Sequence, residues 1–182
     1  MLKPKRLDIV GMKRFHCQYC PNVGAQAPFG GRNTTGIMIK VIAVGKMKNK
    51  DLQSLCADYF SRLSHFCRFE MTELKDSTLQ AESSKMLEAL AGFRGKVYAL
   101  GEEGNMYTSV KFSKKISDDE ARGGSAFVIG SAYGLAPEVK ARADEIVALS
   151  PMTFTHEFAR AILAEQLYRA RTIIANTGYH HI

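Results

Sequence analysis

From residue 38 onward the apolar positions switch repeatedly between a strand-like and a helix-like period. Residues 39–44 (IKVIAV) are a short β-branched run that stops at Gly45, the pattern of a buried strand entering a loop. Over 50–66, Leu52, Leu55, Cys56, Tyr59, Phe60 and Leu63 recur at helical steps and predict an amphipathic helix. Residues 68–74 alternate Phe69, Met71 and Thr72 with charge, a second strand, and 78–93 returns to a helix with Met86, Leu87 and Leu90 inward. A third strand over 97–100 is expected to break at the turn Gly101-Glu102-Glu103-Gly104, followed by a helix over 109–121. The fourth strand, 126–129, runs into Gly130-Ser131-Ala132-Tyr133-Gly134. Pro137 then opens a short helix to about residue 143, since its missing amide costs nothing in a first turn. A fifth strand over 145–149 and a loop over 150–154 lead into the last helix, 156–176.

That last helix is roughly 30 Å long at the α-helical rise. Phe158, Ile162, Leu163, Leu167, Ala170 and Ile174 mark its apolar stripe, with Arg160, Arg169 and Arg171 among them. Thr155 is placed to cap it, and Glu157 suits the positive first turn. Arg169 also stands one turn from Glu165, where a plain ion pair is the alternative to a functional role, and Tyr168 reads as packed. The polar tail Tyr179-His180-His181 follows Gly178, with His181 read as solvated.

Strands alternating with helices of this length predict an α/β fold, a mostly parallel sheet with helices on both faces. Ligands of such sheets bind outside the carboxyl ends of the strands. Three ends carry loop residues: Leu100-Gly101, the run 130–134, and the loop 150–154. Residues 1–37 show no sustained period and hold three prolines and five glycines. They read as a loosely ordered extension in front of one domain over 38–182, either a targeting segment or, the favoured reading, sequence ahead of a true start at Met38.

Charge narrows the partners only after it is divided. The net charge is +7, but residues 1–37 hold six basic side chains against Asp8. The other 145 residues carry 19 basic and 17 acidic groups, so the folded part is only weakly basic and local arginine placement has to carry any nucleic-acid argument. Nothing resembles a membrane span or a signal peptide, which points to the cytoplasm. Cys17, Cys20, Cys56 and Cys67 then read as free thiols; Cys17-x-x-Cys20 lacks a second pair, His65 and Cys67 make a poor substitute, and no metal is expected.

The glycine runs match neither a dinucleotide fingerprint nor a P-loop, and no zinc-protease or nucleophile-elbow motif occurs. His156 reads equally as a base, a phosphate contact or a helix-start residue.

MIKVIAVGK at Met38, FVIGSAYGL at Phe127, and LSPMTFTHEFARAILAEQLYRA with the terminal GYHHI resemble the RlmH family. These SPOUT-class methyltransferases act on pseudouridine in large-subunit ribosomal RNA, and the resemblance runs from residue 38 to the end. It implies an α/β sheet whose C-terminal part threads a trefoil knot, a homodimer, and S-adenosyl-L-methionine as cofactor. By motif, the cofactor contacts would be Leu100, Gly130, Leu149, Ser150, Pro151, Met152, Thr153 and Phe154. The implied substrate is a pseudouridine near helix 69 of 23S rRNA in the assembled 70S ribosome, methylated at N3. His156 and His180 are then the candidates for removing the N3 proton, and Arg160 and Arg169 for holding charge on the base or a phosphate. Tyr179 is placed to stack on the extruded base.

Three positions depart from the family pattern. Gly130-Ser131-Ala132 replaces Gly-Gly-Pro, Gly101 replaces an aspartate, and Gly178 replaces a proline. The first adds a side chain beside the expected cofactor and removes a rigid turn. Two further readings follow: a ribosome-binding homodimer of this fold with impaired methyl transfer, and a methyltransferase of this fold acting on another RNA.

Overall fold

Five parallel strands form one sheet in the order β2-β1-β4-β3-β5. In chain order they are β1 (Met38–Val44), β2 (Arg68–Leu74), β3 (Lys96–Met106), β4 (Ser125–Ile129) and β5 (Glu145–Ala148). The helices between and after them are α1 (Lys50–Ser64), α2 (Leu79–Leu90), α3 (Ser109–Glu120), α4 (Pro137–Arg142) and α5 (His156–Ile174). This computed structural model describes residues 37–180, so the basic extension, Cys17, Cys20 and His181 lie outside the described residues.

Side-chain alternation along the strands divides the core in two. Ile39, Val41, Ala43, Phe127 and Ile129 pack with α1, α3 and α5, while Ile42, Val44, Ala126 and Val128 pack with α2 and α4. Crossovers that move one way along the sheet carry α1 and α3, and those that move the other way carry α2 and α4. All four connections therefore share one hand, as parallel crossovers require. The four longer helices begin under a polar cap: Asn49 accepts the Asp51 and Leu52 amides, and Thr78, Thr108 and Thr155 each accept one amide of the following turn.

One expectation fails. Gly101 to Gly104 do not end β3 in a turn; the strand continues to Met106. Leu100 and Asn105 both stand opposite Val147, so the residues between them bulge out of the ladder before it resumes. Gly104 lets the chain return to β5, because a Cβ there would meet the Ile146 carbonyl carbon at 2.6 Å. The glycines mark a bulge, with the ladder intact on both sides.

The apolar stripe of α5 is also only half buried. Leu163, Leu167 and Ala170 sit in the core with Ala161 and Ala164, whereas Phe158 is 52% exposed and Ile162 partly so. Because α5 lies against α1 on one side and α3 on the other, its buried arc is wide and shifted toward the alanines. Cys56 and Cys67 are free and buried, with thiols pushed up to about 11 by burial, so neither is a ready nucleophile. Among the described residues no three His, Cys, Asp or Glu side chains converge as a metal requires, and no helix is long and apolar enough to cross a membrane.

Candidate active site

A cleft of about 700 Å³ opens at the carboxyl ends of β3, β4 and β5, where the sheet places the three loops. Its apolar wall is Leu100, Ile129, Val147 and Leu149; its rim is the β3 bulge, the turn after β4 and the loop before α5. Leu100, Gly130, Leu149, Ser150, Met152, Thr153 and Phe154 all line it, and Pro151 does not. Thr153 and Phe154 make no backbone hydrogen bond among the described residues, so their peptide groups remain for a ligand. At the rim Lys140 donates to Glu103 at 2.5 Å and holds that carboxyl below the usual glutamate range. Ile129, Val147 and this ion pair carried no motif that sequence reading could use.

The turn after β4 is closed by its own atoms. The Gly134 amide donates to the Ser131 carbonyl at 3.0 Å, and the Tyr133 amide to the Ser131 hydroxyl at 3.3 Å. Ser131 thus adds a side-chain hydrogen bond to this turn. The side chains of Ala132 and Tyr133 are exposed at the mouth.

His156, the first residue of α5, lines the cleft with its ring edge beside Gly45. Its neighbours fasten α5 to the β1–α1 loop. Glu157 accepts the Lys48 and Asn49 amides, both at 3.0 Å. Arg160 is 1% exposed, and this corrects its expected place: it donates to Glu73 at 2.9 Å and to the carbonyls of Val44 and Gly45 at 3.2 and 2.8 Å. Both terminal nitrogens of the guanidinium are thus directed at the protein's own acceptors, and Nε is buried without a partner. Glu73, 87 residues away in sequence, gave no signal of this pairing.

The Asn49 amide, then the Lys48 amide, hold the Glu157 carboxyl below its ordinary value of 4.5. A depressed folded pKa means that the contact stabilises above the unfolded pKa and that this contribution is lost as pH falls through the folded value. Glu157→Gln is therefore expected to lower urea stability at neutral pH and to converge with the parent in acid. A constant offset between the two denaturation curves at every pH would contradict this.

The remaining expected residues gather at the other end of α5. Arg169 pairs with Glu165, its guanidinium carbon lies 4.9 Å from the Tyr179 ring centroid, and its Nη1 is 3.2 Å from His180 Nδ1. The Tyr179 hydroxyl donates to Glu165 at 3.3 Å; burial, then the Tyr59 hydroxyl, push its pKa up and keep it a donor. Arg169 stands thirteen residues beyond His156, roughly 20 Å along the helix. Within one chain the tail cluster and the cleft are separate.

A parallel sheet with a cleft across its carboxyl ends and a C-terminal helix leading away from it defines an α/β protein of the kind that takes small ligands at its strand ends. The chain belongs to the SPOUT methyltransferase family, whose description (predicted SPOUT methyltransferase) matches residues 37–180. It is 38% identical over 156 residues to the ribosomal RNA large subunit methyltransferase H of Streptococcus thermophilus strain CNRZ 1066, covering 78% of this chain and 98% of that one. It is 37% identical over 151 residues to the protein of the same name from Geobacter sulfurreducens, covering 79% and 99%. Among solved structures, a probable methyltransferase from Bordetella pertussis Tohama I superposes with a TM-score of 0.49 at 14% identity, covering 75% of this chain and 95% of that one.

Proposed function

We propose that this protein methylates N3 of a pseudouridine in the large-subunit ribosomal RNA of the assembled ribosome, in the cytoplasm, with S-adenosyl-L-methionine as methyl donor. The carrying observation is the cleft itself, in a chain whose relatives are named as large-subunit ribosomal RNA methyltransferases. The cleft fits the cofactor chemically. Its apolar wall suits a purine, the peptide groups of Thr153 and Phe154 suit the purine's polar edge, and Gly130 lets the turn after β4 close tightly at the rim, since a side chain there would collide with the Gly134 carbonyl. When bound, the cofactor supplies a methyl group activated by a positively charged sulfur.

The chain's own residues align the base and take up its proton. N3 of pseudouridine carries a weakly acidic imide proton that must leave at or before attack. His156 lines the cleft and is the candidate acceptor within one protomer, as His180 is for a tail brought by a second copy. The positive first turn of α5 favours the anion left behind. Tyr179, Arg169 and His180 reach a cleft only if a second copy brings its tail to this one, which favours a homodimer. Phe158, Met152 and Phe154, exposed around the start of α5, offer that copy an apolar surface. A knotted C-terminal segment goes with this family reading.

Labelled methyl transfer to ribosomes from a strain lacking the modification, with free large subunits in parallel, tests the proposal. Label mapped to N3 of a pseudouridine near helix 69, with a preference for the assembled ribosome, is the expected result. Retained ribosome binding without label would replace it with the impaired binding protein, and label on another RNA with an enzyme of different substrate.

A further inference from the structure

The tail does not end the aromatic and arginine surface; it continues onto α1. The Arg62 guanidinium carbon lies 5.9 Å from the ring centroids of both Tyr59 and Tyr168. Those two rings are 5.9 Å apart, and Tyr168 meets Tyr179 edge-on at 4.9 Å. With Arg169 over the Tyr179 ring, two arginines flank a run of three touching tyrosines across α1, α5 and the tail. Arg62 is the outermost member, with half of its side chain exposed.

The fold has little need of this arrangement. The partner of Arg62 is Asp58 one turn earlier, reached through Nε at 3.1 Å and Nη2 at 2.7 Å, and both are about half exposed. Exposed pairs of this kind add little stability. A planar guanidinium held across two aromatic rings is instead preorganised for nucleic acid, since its fork matches phosphate as well as carboxylate and its faces accept a base. Unpaired RNA bases offer stacking faces that a duplex hides. Asp58 and Glu165 are the acidic groups in the array, and each occupies an arginine that a phosphate would otherwise take.

We propose that Arg62, Tyr59 and Tyr168 form a binding site for single-stranded RNA continuous with the tail, holding a stacked base and its phosphate beside the position methylated in the cleft of a second copy. This rests on the RNA-methyltransferase reading for its substrate. Its test is independent of methyl transfer.

The test measures binding of the full chain to a labelled single-stranded oligoribonucleotide and to a duplex of the same length by fluorescence anisotropy across salt concentrations. Arg62→Ala is expected to weaken single-strand binding about tenfold and duplex binding much less. Arg62→Lys keeps the charge and should keep the salt dependence while losing part of the affinity. Asp58→Asn frees Arg62 and should tighten binding, a change of sign that a packing role does not produce. On ribosomes, Arg62→Ala should raise KM and leave kcat in place. Unchanged affinity in both Arg62→Ala and Asp58→Asn would overturn the site, as would equal losses for single strand and duplex, even with methyl transfer intact. If the parent transfers no methyl group but these affinity changes appear, the RNA site stands and the proposed reaction falls.

Discussion

Gly130→Ala is expected to lower methyl transfer about a hundredfold and to abolish measurable cofactor binding in a chain that still folds. A Cβ at this position would lie 3.0 Å from the Leu135 amide nitrogen and collide with the Gly134 carbonyl. Both are backbone, so no side chain can swing away. The turn held by Ser131 and Gly134 must open, and it carries the exposed residues Ala132 and Tyr133 at the mouth of the cleft. Overpacking of this kind costs about 1–3 kcal/mol, or roughly 3–9 °C in Tm for a chain of this length. Calorimetric titration of the folded variant with S-adenosylmethionine checks the point. Parent-like affinity would remove the β4 loop from the cofactor site and with it the assignment of the cleft.

The second large effect is structural. Arg160→Met should destabilise the protein by about 3–5 kcal/mol, because it strands the Glu73 carboxylate and the Val44 and Gly45 carbonyls around an apolar side chain. At roughly 3 °C per kcal/mol this is a Tm lower by about 10 °C or more. Arg160→Lys should recover part of the loss, since an ammonium can reach one or two of the three acceptors. RNA affinity measured well below the transition should stay near the parent's, because the guanidinium is spent on the β1–α1 loop. A variant as stable as the parent but unable to bind RNA would restore Arg160 to the substrate-contact role that the family motif implies.

The contrast between Gly130 and Arg160 shows what could be read in advance. Gly130 follows a β-branched run in a chain of alternating strands and helices, and both facts are local, so the position at a strand end was legible. Arg160 sits in a family motif that invites a functional role, yet its surroundings are assembled from segments 87 to 116 residues away. Its burial is a property of the packed α5, β1 and β2. The bulge in β3 was missed for a related reason: two glycines three residues apart suit a turn as well as a bulge, and the choice depends on β5 lying alongside.

The sequence by itself determined the order of strands and helices, the capped start of α5 and the three strand ends that bear ligand loops. Hydrophobic period and capping act between residues a few positions apart. Only the tertiary structure decided that Arg160 points inward, that Phe158 points outward, and that Tyr179 and His180 fold back onto Arg169. Each of those outcomes depends on which distant backbone carbonyls, carboxylates and helices come to lie beside the residue, and no local pattern encodes that.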